Sequence, residues 1–204
     1  MNSAAGEENW LAEALGIPFY DKELISMAAD DINIAEEAFR KYDEHVIEDD
    51  PLDHKIHHSF SELYKVPMSD QIFVAQSNVI RRLASHGPCV IVGRCADYAL
   101  ADYPETVSVF ICADEADKIE RIKELHNVND AKARDIMIKL DKKRSSYYNY
   151  YASKRWGDSR SYDLCINSSA VGIDGAVKII LEFAKLKQEQ NKAKAAKPEE
   201  KKES

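Results

Sequence analysis

The segment DKKRSSYYNYYASKRWGDSRSYDLCINSS, residues 141–169, is the most informative part of this chain. It combines six cationic side chains with five tyrosines and one tryptophan, whereas the whole chain has a formal net charge of -8. The cationic residues are Lys142, Lys143, Arg144, Lys154, Arg155 and Arg160. Guanidinium and ammonium groups form charge-assisted hydrogen bonds with phosphate oxygens, so this cationic island favours a phosphate-bearing ligand. Its residues 163–167 form a strand-like run that connects the island to a sheet.

Short apolar runs elsewhere predict the other strands of that sheet. Residues 89–93, 107–113 and 163–167 are rich in apolar or β-branched side chains and are bounded by turn or polar residues. Such runs are typical of fully buried strands in parallel sheets that carry helices on both faces. Residues 17–20 are a weaker candidate, which follows a helix that closes at Gly16.

Helical patterns alternate with these runs, which predicts an α/β fold with a parallel sheet. One helix covers residues 71–85. Asp114 is placed to cap a second helix. The pattern predicts the longest helix after Asn129, to about Ser153, and a last helix over residues 173–186.

Composition predicts one α/β domain, over residues 1–186, in a cytoplasmic protein. A length of 204 residues and a hydrophobic content of 45% suit a single domain with a substantial core. No apolar run approaches the roughly 20 residues that span a bilayer, and the first residues lack the features of a signal peptide. Residues 187–204 are mostly Lys, Glu, Ala and Gln, which predicts a disordered charged tail or a frayed extension of the last helix.

The cysteines indicate the same compartment. Cys89, Cys95, Cys112 and Cys165 include no CxxC pair, and three of them lie in the strand-like runs. We expect reduced, buried small side chains rather than disulfides or metal ligands.

Arg144 is unusual because it falls within the apolar stripe of the long helix. It lies four residues after Leu140 and three before Tyr147, so all three share one helix face. A charged side chain on an inward face needs a partner. Two interpretations are open. Arg144 pairs with an internal carboxylate or extends outwards beside Tyr148, or it binds a phosphate.

Three stretches of the sequence resemble the cytidylate kinase-like family of bacterial proteins, which belongs to the P-loop nucleoside monophosphate kinases. They are LAEALGIPFYDKELI at residues 11–25, GPCVIVGRCADYAL at residues 87–100 and the cationic island at residues 141–169. The resemblance covers roughly residues 11–185. It implies a three-layer P-loop NTPase-like parallel sheet with helices on both faces and a helical lid at about residues 126–162.

The resemblance also implies a site for a nucleoside monophosphate. Tyr20 and Asp21 correspond to positions that line this pocket in related kinases. Arg94 corresponds to an arginine that meets the acceptor nucleotide in cytidylate kinases. In those enzymes an aspartate follows the arginine directly, whereas here Cys95 does and Asp97 comes two residues later. The resemblance therefore does not imply that this chain recognises cytosine as those enzymes do.

Basic residues of the lid complete the implied site. Lys118 and Arg121 correspond to lid-associated positions in these kinases. Lys142, Arg144 and Arg155 would belong to the lid itself, which closes over the phosphates. There the cationic groups would stabilise charge on the migrating phosphoryl group.

The loop that should hold the phosphates of ATP has no counterpart in this sequence. None of the seven glycines precedes a lysine, so the chain contains no GxxxxGK(S/T) motif. The family usually carries a first core strand and a GSGG-type loop where this chain has residues 2–10, with Ala4 and Ala5 at positions that favour glycine. The first core strand is therefore expected to be absent. The strands at residues 89–93 and 107–113 must then pair directly or leave an open slot.

Three explanations of that absence are open. In the first, the true start of the protein lies upstream of Met1. In the second, the chain is a degenerate relative that binds nucleotide weakly or not at all. In the third, a rebuilt loop still works.

A histidine cluster lies between residues 34 and 66, where the resemblance implies an acceptor-side insertion. His54, His57 and His58 have the spacing of one helix face and could bind a metal, with His45 nearby in the sequence. The surrounding sequence is polar and acidic. A solvated insertion is therefore favoured, and no metal site is predicted.

The predicted reaction is transfer of the γ-phosphoryl group of ATP to a nucleoside monophosphate, with ATP and Mg2+ both implied by the resemblance. The predicted partner is thus a small-molecule nucleotide, with no membrane contact.

Two alternative functions are open. Because the phosphate-binding loop is missing, the first alternative is a non-catalytic nucleotide-binding or regulatory protein. A third reading is RNA binding by the aromatic and basic island. Helical spacing of Tyr147, Tyr148 and Tyr151 favours core packing instead, and the acidic net charge disfavours nucleic acid.

Overall fold

A computed structural model describes residues 7–31 and 67–196 of the chain. Within these residues, helices predominate and four short strands alternate with them, so the predicted α/β class is confirmed. The helices are α1 (Glu7–Leu15), α2 (Glu23–Asp31), α3 (Met68–His86), α4 (Ala96–Ala99), α5 (Glu115–His126), α6 (Asp130–Tyr151) and α7 (Ser168–Ala195), with a 3-10 turn at Ser159–Ser161. The strands are β1 (Phe19–Tyr20), β2 (Val90–Ile91), β3 (Val109–Cys112) and β4 (Leu164–Asn167).

The strands form two separate parallel pairs rather than one sheet. β1 pairs with β2, where Val90 N–H donates to the C=O of Pro18 at 2.9 Å. β3 pairs with β4 over four residue pairs. Among the described residues, no strand joins β2 to β3. Of the two outcomes expected for a missing core strand, the open slot is therefore the one found.

The strands that border this gap are not fully buried, contrary to the expectation from their apolar sequences. All residues of β2 and β3 keep partial exposure to solvent. In β4, only Ile166 is buried. The gap itself is the physical reason for β2 and β3, since it leaves one edge of each strand uncovered.

The main hydrophobic core lies on the β1–β2 side of the gap, where α2 packs against α3. Leu24 of α2 and Ile72, Val79 and Ile80 of α3 are at most 1% exposed. Val79 and Ile80 share a helix face with Ile72 because they follow it by seven and eight positions, about two helical turns. Full burial of one such side chain contributes about 1.5–3 kcal/mol. This core therefore anchors α3, which leads into β2.

A smaller core lies on the β3–β4 side. Ile166 of β4 packs with Ala176 and Ile180 of α7, and Leu11 of α1 packs against the same cluster. α1 also contacts β2. α1 therefore bridges the two strand pairs. Gly16, with a left-handed φ of 64°, then turns the chain from α1 towards β1.

Ion pairs connect α5 and α6. Lys118 Nζ lies 3.0 Å from Asp141 Oδ2, and Lys123 Nζ lies 2.8 Å from Asp130 Oδ1. Lys118, which the family resemblance associates with the lid, is thus engaged in holding the two helices together.

The predicted start of α6 is confirmed, while α7 extends further than expected. The side chain of Asn129 accepts a hydrogen bond from Lys132 N–H at 3.0 Å and so caps α6. α7 is the longer of the two helices because it continues through Ala195. Residues 187–195 are helical, since Lys, Glu, Ala and Gln are all strong helix formers. Residues 197–204 lie outside the described part of the chain.

The junction between β3 and α5 also differs from the sequence-based expectation. Asp114 precedes α5, but its side chain makes no capping hydrogen bond. It accepts a hydrogen bond from Asn167 Nδ2 at 2.9 Å instead, and its N–H donates to Ser169 Oγ at 2.8 Å. These bonds tie the start of α5 to the start of α7.

Three of the four cysteines are more exposed than the apolar sequence around them led us to expect. All four are free thiols. Cys95 is buried, whereas Cys89 and Cys112 are partly exposed and Cys165 is exposed. Cys89 and Cys112 belong to the segments that border the gap, which explains their partial exposure.

Within residues 7–31 and 67–196, no helix combines the length and the apolar character that a bilayer crossing requires. The predicted insertion at residues 34–66, with its histidine cluster, lies outside the described residues.

Candidate functional site

A cavity of 1390 Å³ occupies the gap between the two strand pairs. Residues of β2 and β3 form part of its wall. Helices α1 and α7 add apolar side chains, namely Leu11, Leu15, Ile173, Ala176, Val177, Ile180 and Leu181. The same cavity continues to polar and charged residues that follow β2 and to residues of α6, so an apolar slot and a charged region form one space.

The charged groups of the cavity wall are mostly cationic. The six cationic side chains are Lys22, Arg94, Arg144, Lys185, Lys187 and Lys192. The three carboxylates are Asp21, Asp97 and Glu105. Since the whole chain carries a net charge of -8, the cavity is a local region of the opposite sign. A concave cationic region of this kind raises the local concentration of anions.

The polypeptide turns sharply after β2. Gly93, Arg94 and Cys95 are all left-handed, with φ values of 71°, 51° and 52°. For a residue other than glycine this conformation costs roughly 1–2 kcal/mol. Packing holds the turn in place, because buried Cys95 belongs to one cluster with Tyr147 and Tyr148 of α6. Backbone strain of this kind concentrates at functional sites.

Arg94 and Asp21 form an ion pair at the cavity wall. Arg94 Nη1 lies 3.8 Å from Asp21 Oδ1, and the two side chains are 10% and 13% exposed. Asp21 directly follows β1, and Arg94 follows β2, so parallel pairing brings both residues to the same edge. A guanidinium group has five N–H donors. The ion pair with Asp21 therefore engages only part of this donor set.

Asp97 is engaged by α6 and the loop that follows it. Tyr148 Oη donates to Asp97 Oδ2 at 2.7 Å, and Lys154 Nζ donates to the same oxygen at 3.3 Å. Burial raises the pKa of Tyr148 well above its usual range, and the hydrogen bond to Asp97 raises it further. The carboxylate that the resemblance assigns to substrate binding therefore links α4, directly after the turn that follows β2, to α6.

Arg144 of α6 lines the same cavity as Arg94. Its neighbours Tyr147 and Tyr148 are 4% and 7% exposed, so the core packing predicted for these tyrosines is confirmed. The Arg144 side chain itself forms no hydrogen bond or ion pair with any residue that the structure describes. Pairing with an internal carboxylate, one of the two interpretations from the sequence, is thus not found within the described ranges.

The other four predicted site residues lie away from the cavity wall. Tyr20 packs against the main hydrophobic core. Arg121 lies on α5 and Lys142 on α6. Arg155 lies in the loop after α6, where its C=O accepts a hydrogen bond from Asp158 N–H at 3.2 Å. The structure therefore brings half of the predicted residues to one cavity.

Aromatic side chains that the sequence assigned to no site complete the wall. Trp156 and Tyr162 both line the cavity. Tyr162 stacks on Tyr148 with 5.7 Å between ring centroids, and Phe110 of β3 meets Trp156 edge to face at 5.2 Å. Trp156 and Tyr162 lie on either side of an irregular turn, so neither residue belongs to a helical or strand-like pattern in the sequence. Their position within the cationic island is the only signal in the sequence that could have identified them.

The fold and the cavity together define an α/β protein with a cationic cavity beside parallel strands. The chain belongs to the cytidylate kinase-like family, whose model matches residues 7–170. The resemblance seen in the sequence is thereby confirmed, and membership supports a kinase-like, nucleotide-using protein in general terms. The crystal structure of an uncharacterized protein from Eubacterium ventriosum is similar, with a TM-score of 0.67 and 30% sequence identity over 90% of this chain and 91% of that chain. No curated protein matches the chain.

Proposed function

We propose that the cavity binds a nucleoside monophosphate, with the phosphate between Arg94 and Arg144. One observation carries the proposal. These two arginines come from separate elements and line one cavity, and the Arg144 side chain has no partner among the described residues. Guanidinium groups suit phosphate because each presents a planar fork of N–H donors. Family membership supports the three-layer P-loop-type arrangement that this proposal assumes.

The burial of Arg94 supports a role in anion binding. Its side chain is only 10% exposed, and interactions between charges are stronger where water is excluded. Asp21, at 3.8 Å, orients the guanidinium group and offsets part of the cost of burying it. Arg144 is more accessible and lies on the helix that the family resemblance assigns to the lid. A phosphate held by both would connect a fixed residue to a residue of the lid helix.

The aromatic part of the cavity supports a nucleoside rather than free phosphate. Tyr148, Trp156 and Tyr162 line the wall beside Arg144. Any nucleic-acid base can stack on an aromatic side chain, and each stacked base contributes about 1–3 kcal/mol to binding. The cavity volume of 1390 Å³ is larger than the roughly 300–1,000 Å³ of typical small-molecule pockets, so it offers enough space for a nucleotide.

The described residues offer no recognisable loop for the triphosphate of ATP and no cluster that would hold a magnesium ion. A triphosphate needs the backbone N–H groups of a glycine-rich loop, and the chain has no GxxxxGK(S/T) motif. Within residues 7–31 and 67–196, no cluster of His, Cys, Asp and Glu could hold a metal ion. Nucleotide binding is therefore proposed here without a step that involves ATP.

Isothermal titration calorimetry with CMP, dCMP, UMP and AMP tests the proposal. We expect saturable one-to-one binding of at least one nucleotide and much weaker binding of its nucleoside, because the phosphate provides the charge-assisted bonds. Arg144→Gln should weaken binding about tenfold or more. Arg160→Gln is the matched control, since Arg160 lies in the same island but pairs with Asp158 at 2.6 Å. Equal affinity of wild type and Arg144→Gln would contradict the proposal.

Phosphoryl transfer from ATP to the bound nucleotide is the second candidate function. The family match over residues 7–170 favours it, as does the pair of arginines at one cavity. A coupled assay for ADP formation, with each nucleotide and magnesium, separates the two candidates. ADP formation that depends on the acceptor and falls in Arg144→Gln would assign transfer. Nucleotide binding without ADP formation would assign a non-catalytic binding protein.

A further inference from the structure

We propose that the outer face of α7 binds the same face of a second copy of this chain, with the two helices antiparallel. The proposal rests on an apolar stripe that lies apart from the cavity and on charged residues beside this stripe. The order of these charges is complementary to itself when two copies run in opposite directions. The proposal does not depend on nucleotide binding.

The apolar stripe of α7 consists of Ile179, Phe183 and Leu186. These residues are four and three positions apart, so they lie on one helix face. Ile179 and Leu186 are 39% and 54% exposed, and Phe183 is partly exposed. None of the three lines the cavity, whereas Ala176 and Ile180 of the same helix are buried against β4. Helices pack against one another through stripes with this spacing, so α7 has an apolar face beyond the one that its own domain buries.

Four charged residues lie along one side of the stripe. They are Lys178, Glu182, Lys185 and Glu189, and all four are exposed. Their spacing of three or four positions suits ion pairs within the helix. Their side chains nevertheless form no hydrogen bond or ion pair with any residue in the ranges 7–31 and 67–196. Lys185 also lines the cavity. The charged side of the stripe is therefore available to a second molecule.

The order of the four charges favours an antiparallel pair. Along α7 the charges are positive, negative, positive and negative. A two-fold axis near residues 183 and 184 would place Glu182 opposite Lys185 of the second copy, and Lys178 opposite Glu189. Because the axis repeats every contact, four pairs of opposite charge result.

The same axis also matches the apolar residues. Ile179 of one copy would lie near Leu186 of the other, and Phe183 near its own equivalent. In a parallel pair the axis runs along the helices, so the two charged sides would lie on opposite sides of the contact and could not meet. Charge complementarity thus selects the antiparallel orientation.

The size of the contact sets the expected affinity. The stripe covers seven positions, about two helical turns. Stable complexes bury about 1,200–2,000 Å² in total, and a contact between two such helix faces is at the low end of this range or below it. Exposed ion pairs add little affinity, although they determine orientation. We therefore expect a reversible dimer with a dissociation constant on the order of 1–100 μM.

Sedimentation velocity of the full chain from about 1 to about 200 μM tests the proposal. We expect the sedimentation coefficient to rise from that of a monomer to that of a dimer. Leu186→Ser should weaken association about tenfold or more, because the symmetric contact buries this side chain twice. Leu125→Ser is the matched control, since Leu125 is a 39% exposed leucine on α5. A monomer at every concentration, or equal association of wild type and Leu186→Ser, would overturn the proposal.

Charge exchange tests the antiparallel orientation. One variant carries Glu182→Lys with Glu189→Lys, and the other carries Lys178→Glu with Lys185→Glu. Each variant alone should associate at least tenfold more weakly than wild type at low salt, because like charges would meet. An equimolar mixture should recover the dimer. Circular dichroism of each variant checks that α7 remains folded. Wild-type association of either variant alone, or no recovery in the mixture, would reject the antiparallel pair.

Discussion

The two faces of helix α3 make contacts of different kinds. One face packs against α2 mainly through apolar side chains, with Ile72, Val79 and Ile80 at most 1% exposed, and one ion pair joins Arg82 to Asp31 at 3.0 Å. The other face meets α6 through aromatic rings and hydroxyl groups. Phe73 stacks on Tyr151 with 4.1 Å between centroids and 12° between planes. The first face holds the fold chiefly by non-directional burial, whereas the second adds directed bonds to aromatic packing.

Two tyrosine hydroxyl groups of α6 form the directed bonds to α3. Tyr147 Oη donates to Gln76 Oε1 at 3.1 Å, and Tyr151 Oη donates to Asp70 Oδ1 at 2.8 Å. Each such bond contributes about 0.5–1.5 kcal/mol, or up to about 3 when one partner is charged. α6 is therefore held to α3 by these bonds as well as by the burial of its rings, whereas α2 is held mainly by apolar burial. Since α6 carries Arg144, loss of a single hydroxyl group is expected to weaken the hold on the helix that bears this site residue.

The largest expected effect is on the apolar face. Ile80→Ala removes a side chain that is fully buried between α2 and α3, and it should lower the free energy of unfolding by about 2–5 kcal/mol. Urea denaturation followed by circular dichroism measures the change. Ile138→Ala is the matched control, because Ile138 on α6 is 55% exposed and its truncation should change stability by less than about 0.5 kcal/mol. Similar losses in both variants would show that the α2–α3 contact is not the stabilising core.

A smaller effect is expected on the polar face. Tyr151→Phe keeps the stacking on Phe73 but removes the hydroxyl group that donates to Asp70. The free energy of unfolding should fall by about 1–2 kcal/mol, because the partly buried carboxylate loses its donor. Tyr150→Phe is the control, since the neighbouring tyrosine is 60% exposed. A loss as large as that of Ile80→Ala would remove the distinction between the two faces.

Local signals predicted most of the elements. Each apolar run contains one observed strand, because a short run of β-branched residues between turn residues has few other stable states. Asn129 predicted the start of α6 because capping depends on residues three positions apart. The shared cavity of Arg94 and Arg144 was expected from the family resemblance, which carries information about distant contacts that the chain's own pattern does not.

The contacts that define the site could not be predicted in this way. Tyr148 and Asp97 are 51 residues apart in the sequence, and Tyr151 and Asp70 are 81 apart. No local period encodes such pairs. The partial exposure of β2 and β3 was missed for a related reason. An apolar run indicates that a strand prefers burial, but whether a neighbour covers its edge depends on the whole topology.

The smallest expected effect concerns the pH dependence of the stabilisation that comes from the tyrosine hydroxyl groups of α6, which contact α3 and α4. Burial, followed by the bond to Asp97, raises the pKa of Tyr148, and chiefly burial raises the pKa of Tyr151. Because each folded-state pKa lies above the unfolded value of about 10, this stabilisation is complete below about pH 10 and is lost as the pH rises further. In an alkaline absorbance titration, Tyr148 and Tyr151 should ionise only in a late phase, at a higher pH than the early phase expected of free tyrosine near pH 10.

Two single substitutions assign the phases of that titration. Tyr148→Phe should reduce the late phase by the absorbance of one phenolate and leave the early phase unchanged. Tyr151→Phe should do the same, since its hydroxyl group donates to Asp70 Oδ1 at 2.8 Å. If Tyr148→Phe reduced the early phase instead, the hydroxyl group would be open to solvent. The bond between α6 and Asp97 would then not persist in solution, and the polar contacts of α6 would be weaker than the 2.7 Å distance indicates.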